Sequence, residues 1–247
     1  MCVKKQMLVA VLILILDVFL GVGVVSVAKE CVVTGQEEAD QVVTNQVVKD
    51  QAVVALTFDD GPNEEYTSRL LDGLRERGVK ATFFLIGECV TGREALVRRI
   101  DEEGHLIGVH CMQHTQLTKM PVEAAVRELR TAKDIIEEII QKEEKIHRTI
   151  NKLEYMRPPF GAWSEALDEA VRTELGMEPV FWDVDSLDWK VQNTGRVTRQ
   201  VLGAVKNGDI ILMHDEFGSS VEAAFQIIDN LRAKGYTFVT VNELMVD

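Results

Sequence analysis

From Gln51 to its C-terminus the chain alternates two periodicities: short apolar runs, and longer segments whose apolar residues recur every three to four positions. The first period suits an extended strand, the second a helix with one buried face. Ala52–Phe58 is the first apolar run. Glu64–Gly78 is the first helical segment, with Leu70, Leu71 and Leu74 on one face and Gly78 as its C-cap. The spacing then predicts a strand over Lys80–Ile86, a helix over Arg93–Gly104 and a strand over His105–Val109. Pro121–Glu144 reads as a long helix, its stripe of Val122, Val126, Leu129, Ile135, Ile136, Ile139 and Ile140 opposed by a solvated charged face. A strand ending near Arg157, a helix over Ser164–Leu175 and a strand over Pro179–Asp183 follow. A helix over Val197–Asn207, a strand over Asp209–Met213, a helix over Ser219–Lys234 and a strand over Thr237–Val241 complete the pattern. Strands alternating with helices form βαβ units and a largely parallel sheet. Seven strands in about 195 residues point to an α/β barrel rather than an open doubly wound sheet, and barrels collect their chemistry where strands end and loops begin.

Composition narrows the class of function. The 247 residues are 46% hydrophobic and 27% charged, so a sizeable core can form. A net charge of −13 excludes the basic face that nucleic acid requires and sets the chain against phosphate-rich polymers, leaving neutral glycans open. Cys2, Cys31, Cys89 and Cys111 form no CxxC pair, so neither a zinc ribbon nor a thioredoxin-type site is indicated.

The first residues carry a targeting signal. Lys4 and Lys5 precede an apolar run from Met7 to Ala28, broken only by Asp17 and Ser26. With Ser26-Val27-Ala28 as a small-x-small site, this reads as a secretory leader cleaved after Ala28. The run is equally long enough to span a bilayer, at a cost of ~2.5–3.5 kcal/mol for Asp17 on insertion scales. Residues 1–28 are therefore expected to be a signal peptide or a membrane anchor. Residues 29–51 are expected to be an acidic spacer, with an edge strand of Val-Val pairs as the alternative reading. Residues 52–247 form a single domain, extracellular or in the cell envelope, with membrane contact confined to residues 7–28.

Polar residues gather where the strands end. Asp59 and Asp60 close the first strand and precede Gly61-Pro62, a turn that accounts for at most one of them. Two close carboxylates repel unless a cation separates their roles, which suggests one metal ligand and one general base. His110 and His114 follow the third strand; HxxxH on a helical turn puts both imidazoles on one face, a common seat for a divalent metal. Asp60, His110 and His114 would leave an open position, as in catalytic zinc sites, with Cys111 turned away. After Arg157-Pro158-Pro159 the first free backbone N–H is that of Phe160, a candidate oxyanion donor fixed by the two rings. His214 ends the strand at Asp209–Met213, and a distant Asp as its orienting partner would make it a tuned general acid.

In this order, Thr57–Pro62, His110-x-x-x-His114, Arg157–Phe160, Asp185-x-x-Asp188-Trp189 and Leu212-x-His214 resemble the five motifs of the NodB-homology polysaccharide deacetylases, carbohydrate esterase family 4. The resemblance spans Ala52 to Val246. It implies a distorted (β/α)7 barrel and a divalent metal, by preference Zn2+, with Co2+, Ni2+ or Mn2+ as alternatives. It also implies that Asp59 is the base, that Asp60, His110 and His114 bind the metal, and that Arg157 holds the base. Asp188 is implied as the partner of the acid His214, and Trp189 and Leu212 as walls of an acetyl pocket. Two positions depart from the family pattern: Cys111 stands where Ser or Thr is usual, which predicts a looser loop around the metal, and Phe160 where Tyr is frequent. The second loses a phenol and keeps the backbone N–H.

The expected reaction is metal-assisted hydrolysis of N-acetyl groups on N-acetylglucosamine units of peptidoglycan or a chitin-like oligomer. An O-deacetylase acting on acetylxylan is the alternative. A non-catalytic glycan-binding barrel predicts loss of Asp59 or of a metal ligand, and all are present.

Overall fold

Central strand β1 (Val53–Asp59) is buried along all but its first residue, as a strand flanked on both faces must be. In the computed structural model, which describes residues 52–141 and 153–245, it organises an eight-stranded sheet in which every pairing is parallel. The others are β2 (Thr82–Leu85), β3 (Leu106–Val109), β4 (Tyr155–Met156), β5 (Glu178–Pro179), β6 (Val184–Asp185), β7 (Ile210–His214) and β8 (Thr237–Val239). Their order is β5-β4-β3-β2-β1-β7-β6. One edge of β1 pairs with β7; the other is divided, β8 meeting Val53–Ala55 and β2 meeting Thr57–Asp59.

The helices are α1 (Tyr66–Arg77), α2 (Gly87–Val90), α3 (Glu94–Glu102), α4 (Val122–Gln141), α5 (Glu165–Leu175), α6 (Asp188–Val191), α7 (Thr194–Ala204), α8 (Gly218–Ala233) and α9 (Val241–Leu244). Local signals set their ends. Gly78 closes α1 in the left-handed region, and the Ser164 side chain accepts the Leu167 N–H at the start of α5. The Asn193 side chain accepts the Arg196 N–H, so α7 begins three residues before the helix expected at Val197. The short α2, α6 and α9 carry too few residues for a readable period.

Alternation along β1 separates two layers. Val54, Leu56 and Phe58 join the large core under the helices, where Phe58 stacks on Phe83 at 5.4 Å between ring centroids. Ala55, Thr57 and Asp59 face inward. Ala55 packs in a smaller cluster with Phe84, Leu106, Val180 and Val241; above it Thr57 and Asp59 meet the guanidinium of Arg157. The barrel interior is thus apolar at the N-terminal ends of the strands and polar at the C-terminal ends.

The strand expected at Pro179–Asp183 is instead two short strands, β5 and β6. Pro179 offers no N–H to a ladder. The carbonyls of Val180 and Phe181 accept from Arg157 Nε at 3.2 Å and Nη2 at 3.0 Å rather than from a neighbouring strand. The sheet therefore opens between β5 and β6, a curled and incompletely closed (β/α)7 barrel. Among the described residues no helix is long and apolar enough to cross a membrane. The leader or anchor at 1–28, the spacer at 29–51 and the helical residues expected beyond Gln141 lie outside the described residues.

Candidate active site

Because the strands are parallel, their C-terminal ends share one rim, and every expected site residue lies on it. A cavity of about 390 Å³ opens there, lined by Asp59, Asp60, His110, His114, Phe160, Trp189, Leu212 and His214. Arg157 and Asp188 do not line it. Both are wholly buried behind the residues that do.

Asp60 leaves β1 with φ 73, which swings its carboxylate away from the strand direction and toward the two histidines. Its Oδ1 is buried without a hydrogen-bond partner and stands 3.4 Å from Nε2 of His110 and 3.4 Å from Nε2 of His114. Donors held at ~2.1 Å by a tetrahedral ion stand about 3.4 Å apart, so an orphaned carboxylate oxygen and two imidazole nitrogens at this spacing fit a divalent cation. Burial pushes the Asp60 carboxyl up and both imidazoles down from their ordinary values, which keeps the histidines in the neutral form that can ligate. His110 Nδ1 lies 2.7 Å from the Arg157 carbonyl oxygen, and a hydrogen bond donated there turns Nε2 toward Asp60.

The HxxxH pair is not on a helical turn. Residues 110–114 form a loop in which Cys111 (φ 61) and His114 (φ 51) are left-handed, and this reversal brings the imidazoles to 5.1 Å. Nor is the loop loose. The N–H groups of Gly87 and Glu88 bond the carbonyls of Cys111 and Met112 at 3.0 Å each, and the Ile86 N–H bonds Gly61 at 2.9 Å. The Cys111 thiol is buried against the backbone N–H groups of Thr115, Gln113 and His114. It takes the place of a hydroxyl acceptor, away from the Asp60–His110–His114 cluster.

Asp59 has different surroundings. Its Oδ1 accepts from Arg157 Nη1 at 2.8 Å, and its Oδ2 lies 3.8 Å from His110 Nε2. Arg157 is fixed by Thr57, Val180 and Phe181 and by stacking 4.2 Å from the Phe84 ring centroid. Across the cavity, Asp188 accepts from His214 at Nδ1 (2.8 Å) and at the backbone N–H (2.9 Å). Burial opposes a charge on His214, but the bond to Asp188 and the fields of Asp59 and Asp60 outweigh it and raise the imidazole to about 9. Burial likewise opposes ionisation of Asp188, and the His214 contacts overcome it and lower the carboxyl. His214 Nε2 points back at Asp60 Oδ2, 3.9 Å away.

Phe160 is left-handed (φ 63), edge-on to His114 with ring centroids 4.7 Å apart, and 65% exposed. Trp189, half exposed, and Leu212, buried, line the same cavity. Sequence reasoning missed two wall residues, Trp182 and Asp185. A tryptophan at the end of an apolar run was the available signal for the first. Asp185 opens the Asp185-x-x-Asp188-Trp189 motif; its Oδ1 accepts the Leu187 N–H at 2.8 Å, which aims the turn carrying Asp188.

A parallel α/β barrel with a triad whose spacing could hold a cation, a carboxylate held by a buried arginine and an imidazole held by a buried carboxylate has the groups a metal-assisted hydrolase needs. The chain belongs to the polysaccharide deacetylase family, whose profile matches residues 46–180. A peptidoglycan-N-acetylglucosamine deacetylase of Bacillus cereus is 39% identical over 77% of this chain and 67% of its own length. The peptidoglycan-N-acetylglucosamine deacetylase PgdA of Listeria monocytogenes is 38% identical over 77% of this chain, a match that spans only 38% of that relative. The structure of peptidoglycan deacetylase PdaC from Bacillus subtilis superposes with a TM-score of 0.70 at 35% identity, covering 79% of this chain and 90% of that one.

Proposed function

We propose that the chain hydrolyses the N-acetyl groups of N-acetylglucosamine units in peptidoglycan, using Zn2+ at Asp60, His110 and His114. The observation that carries this reading is the opposed pair across one cavity: Asp59 locked to Arg157 on one side, His214 locked to Asp188 on the other, with the triad between them. When bound, the ion supplies Lewis acidity, acidifying water and polarising a carbonyl.

Asp59 takes a proton from the attacking water as the new C–O bond forms at the acetyl carbon. Arg157, 2.8 Å from its Oδ1, holds that carboxylate in position. The Phe160 N–H, rigidified by Pro158 and Pro159, donates to the developing oxyanion. His214 gives its proton to the nitrogen as the C–N bond breaks, since an amine anion is too basic to leave. Acetate and a free amino sugar result, and the water proton held by Asp59 restores the cycle through solvent. With its value raised to about 9, His214 is protonated at neutral pH, the form a general acid needs.

The cavity wall favours a neutral sugar. Among the described residues the only charged side chains lining it, histidines aside, are Asp59, Asp60 and Asp185. Among the described residues no lysine or arginine lines this cavity to take the lactyl carboxylate of an N-acetylmuramic acid unit, and Asp185 would repel it. Export through residues 1–28, with 29–51 as spacer, brings the domain at 52–247 to that polymer.

Incubating the zinc-loaded protein with muropeptides, N-acetylated chitooligosaccharides and acetylxylan tests the reading. Mass spectrometry should find an acetyl replaced by hydrogen on glucosamine units of the first. Acetate released from acetylxylan alone would replace this reading with the ester-cleaving one.

A further inference from the structure

Under the aspartate turn lies a buried pair that the mechanism does not use. Asp215 follows His214 at the end of β7 and is wholly buried. Its Oδ2 accepts from Thr67 Oγ1, on the first turn of α1. Thr67 Oγ1 in turn accepts the backbone N–H of Asn63 at 2.7 Å, and the Thr67 N–H bonds the Asn63 carbonyl at 3.0 Å. From the other side the Asp215 carboxylate presses on Gly61: a Cβ there would lie 2.6 and 2.7 Å from its two oxygens. Gly61 and Asn63, the residues that carry the chain away from Asp60, are therefore both set by this pair.

The placement matters because Asp60 has little else to fix it. Its Oδ1 has no hydrogen bond, and its left-handed backbone, uncommon for a residue other than glycine, is steadied by the neighbouring chain. A buried carboxylate is costly wherever an apolar side chain would fill the space, so one here needs a task. We propose that Thr67 and Asp215 are positioning residues that hold the Gly61–Asn63 segment so that Asp60 Oδ1 keeps its 3.4 Å spacing to both imidazoles. The proposal rests on the reading of Asp60 as a metal ligand. It places the orientation of that ligand in α1 and in the strand end that also carries His214.

Zinc affinity of the full-length chain, measured by competition with a chromophoric chelator, tests it. Thr67→Val removes the hydroxyl and both of its hydrogen bonds. It is expected to weaken Zn2+ binding about tenfold or more, the usual effect of losing a group that orients a ligand. Thr67→Ser keeps the hydroxyl and is expected to bind within about threefold of the unaltered protein, on the same scale. Turnover lost in Thr67→Val should return when Zn2+ is raised, a recovery that general loosening of the fold would not give. If Thr67→Val does not fold, Thr67→Ala against Thr67→Ser makes the same comparison. Unaltered zinc affinity in the variants lacking the hydroxyl, or equal losses with and without it, overturns the proposal. His114→Ala separates the two readings. If it also binds zinc normally, the triad itself is wrong; if it alone loses zinc, only the role of Thr67 and Asp215 falls.

Discussion

Asp59 and Asp60 are adjacent in the chain yet meet opposite surroundings, because a left-handed Asp60 turns one carboxylate to an arginine and the other to two imidazoles. On the proposed roles, Asp59→Asn should retain zinc by elemental analysis and lose turnover by about 10²–10⁴, the usual worth of general acid–base catalysis. Asp60→Asn should lose zinc together with turnover. Near-normal hydrolysis by Asp59→Asn would dismiss it as the base. The identities of these residues were legible in the sequence, because chemistry demands particular side chains. Their backbone was not: among the described residues five of the six left-handed non-glycine positions are Asp60, Cys111, His114, Phe160 and Leu187, all within the motifs, and glycine is the residue that most clearly advertises such a conformation. His105 was equally silent. It is buried at the start of β3, where its Nδ1 accepts the Ala81 N–H at 3.1 Å. Burial, helped by the charges of Lys80 and Arg99, lowers it to about 3. Below its unfolded value of 6.5 the unfolded chain binds a proton that the native state refuses, so stability falls as pH falls. At pH 5 this costs about 2 kcal/mol. Denaturant titrations at pH 7 and pH 5 should show that loss in the unaltered protein and a loss smaller by this amount in His105→Gln. Equal losses in the two would contradict it.

The elements that hold the site do so chiefly through backbone, with one helix as a brace. Ile86–Glu88, the junction where β2 gives way to the first residues of α2, donates N–H groups to both loops that carry the triad. That bridge requires close approach. A Cβ on Gly87 would lie 2.6 Å from Met112 Sδ and 3.1 Å from the Ala132 Cα on α4. The methionine can yield, whereas the helix backbone cannot without shifting. Gly87→Ala should therefore lose about 1–3 kcal/mol in denaturant unfolding, the range for overpacking, and weaken zinc binding in parallel. Full stability with full zinc affinity would show the bridge to be slack. The order of the longer strands and helices is readable from periodicity, and the cap at Gly78 falls where its residue type indicates. Two differences from expectation share a cause: HxxxH suits a helical turn, and Pro179–Asp183 a single strand, only where local pattern meets no tertiary partner. Carbonyls at 180 and 181 that bond a guanidinium, and loop carbonyls that bond Gly87 and Glu88, belong to contacts between residues far apart in the chain.

At the scale of the whole barrel, the interior changes from apolar at one end to a concentration of charge at the other, with Arg157 at the boundary. Asp59 has a cation of its own there; Asp60 has none among its hydrogen bonds, and its burial makes the folded state resist its charge. Filling the triad with a divalent ion should thus stabilise the entire fold. An ion that binds the native state alone contributes about 2.7 kcal/mol at a hundred times its Kd. For a domain near 200 residues, each kcal/mol moves Tm by about 2–4 °C, so stripping zinc with a chelator should lower Tm by about 5–10 °C. His110→Ala, lacking a ligand, should show almost no response to the chelator. Acid should narrow the gap in a definite direction. Ligation needs neutral imidazoles, and burial holds His110 and His114 below their usual 6.5. The chelator effect should accordingly persist at pH 6.5 and disappear only at lower pH, as protons displace the metal from both rings. Calorimetry across this range, with and without chelator, measures it. A chelator effect of the same size in His110→Ala would mean that the stabilising ion binds elsewhere, and an effect already gone at pH 6.5 would mean that the histidines titrate as though exposed.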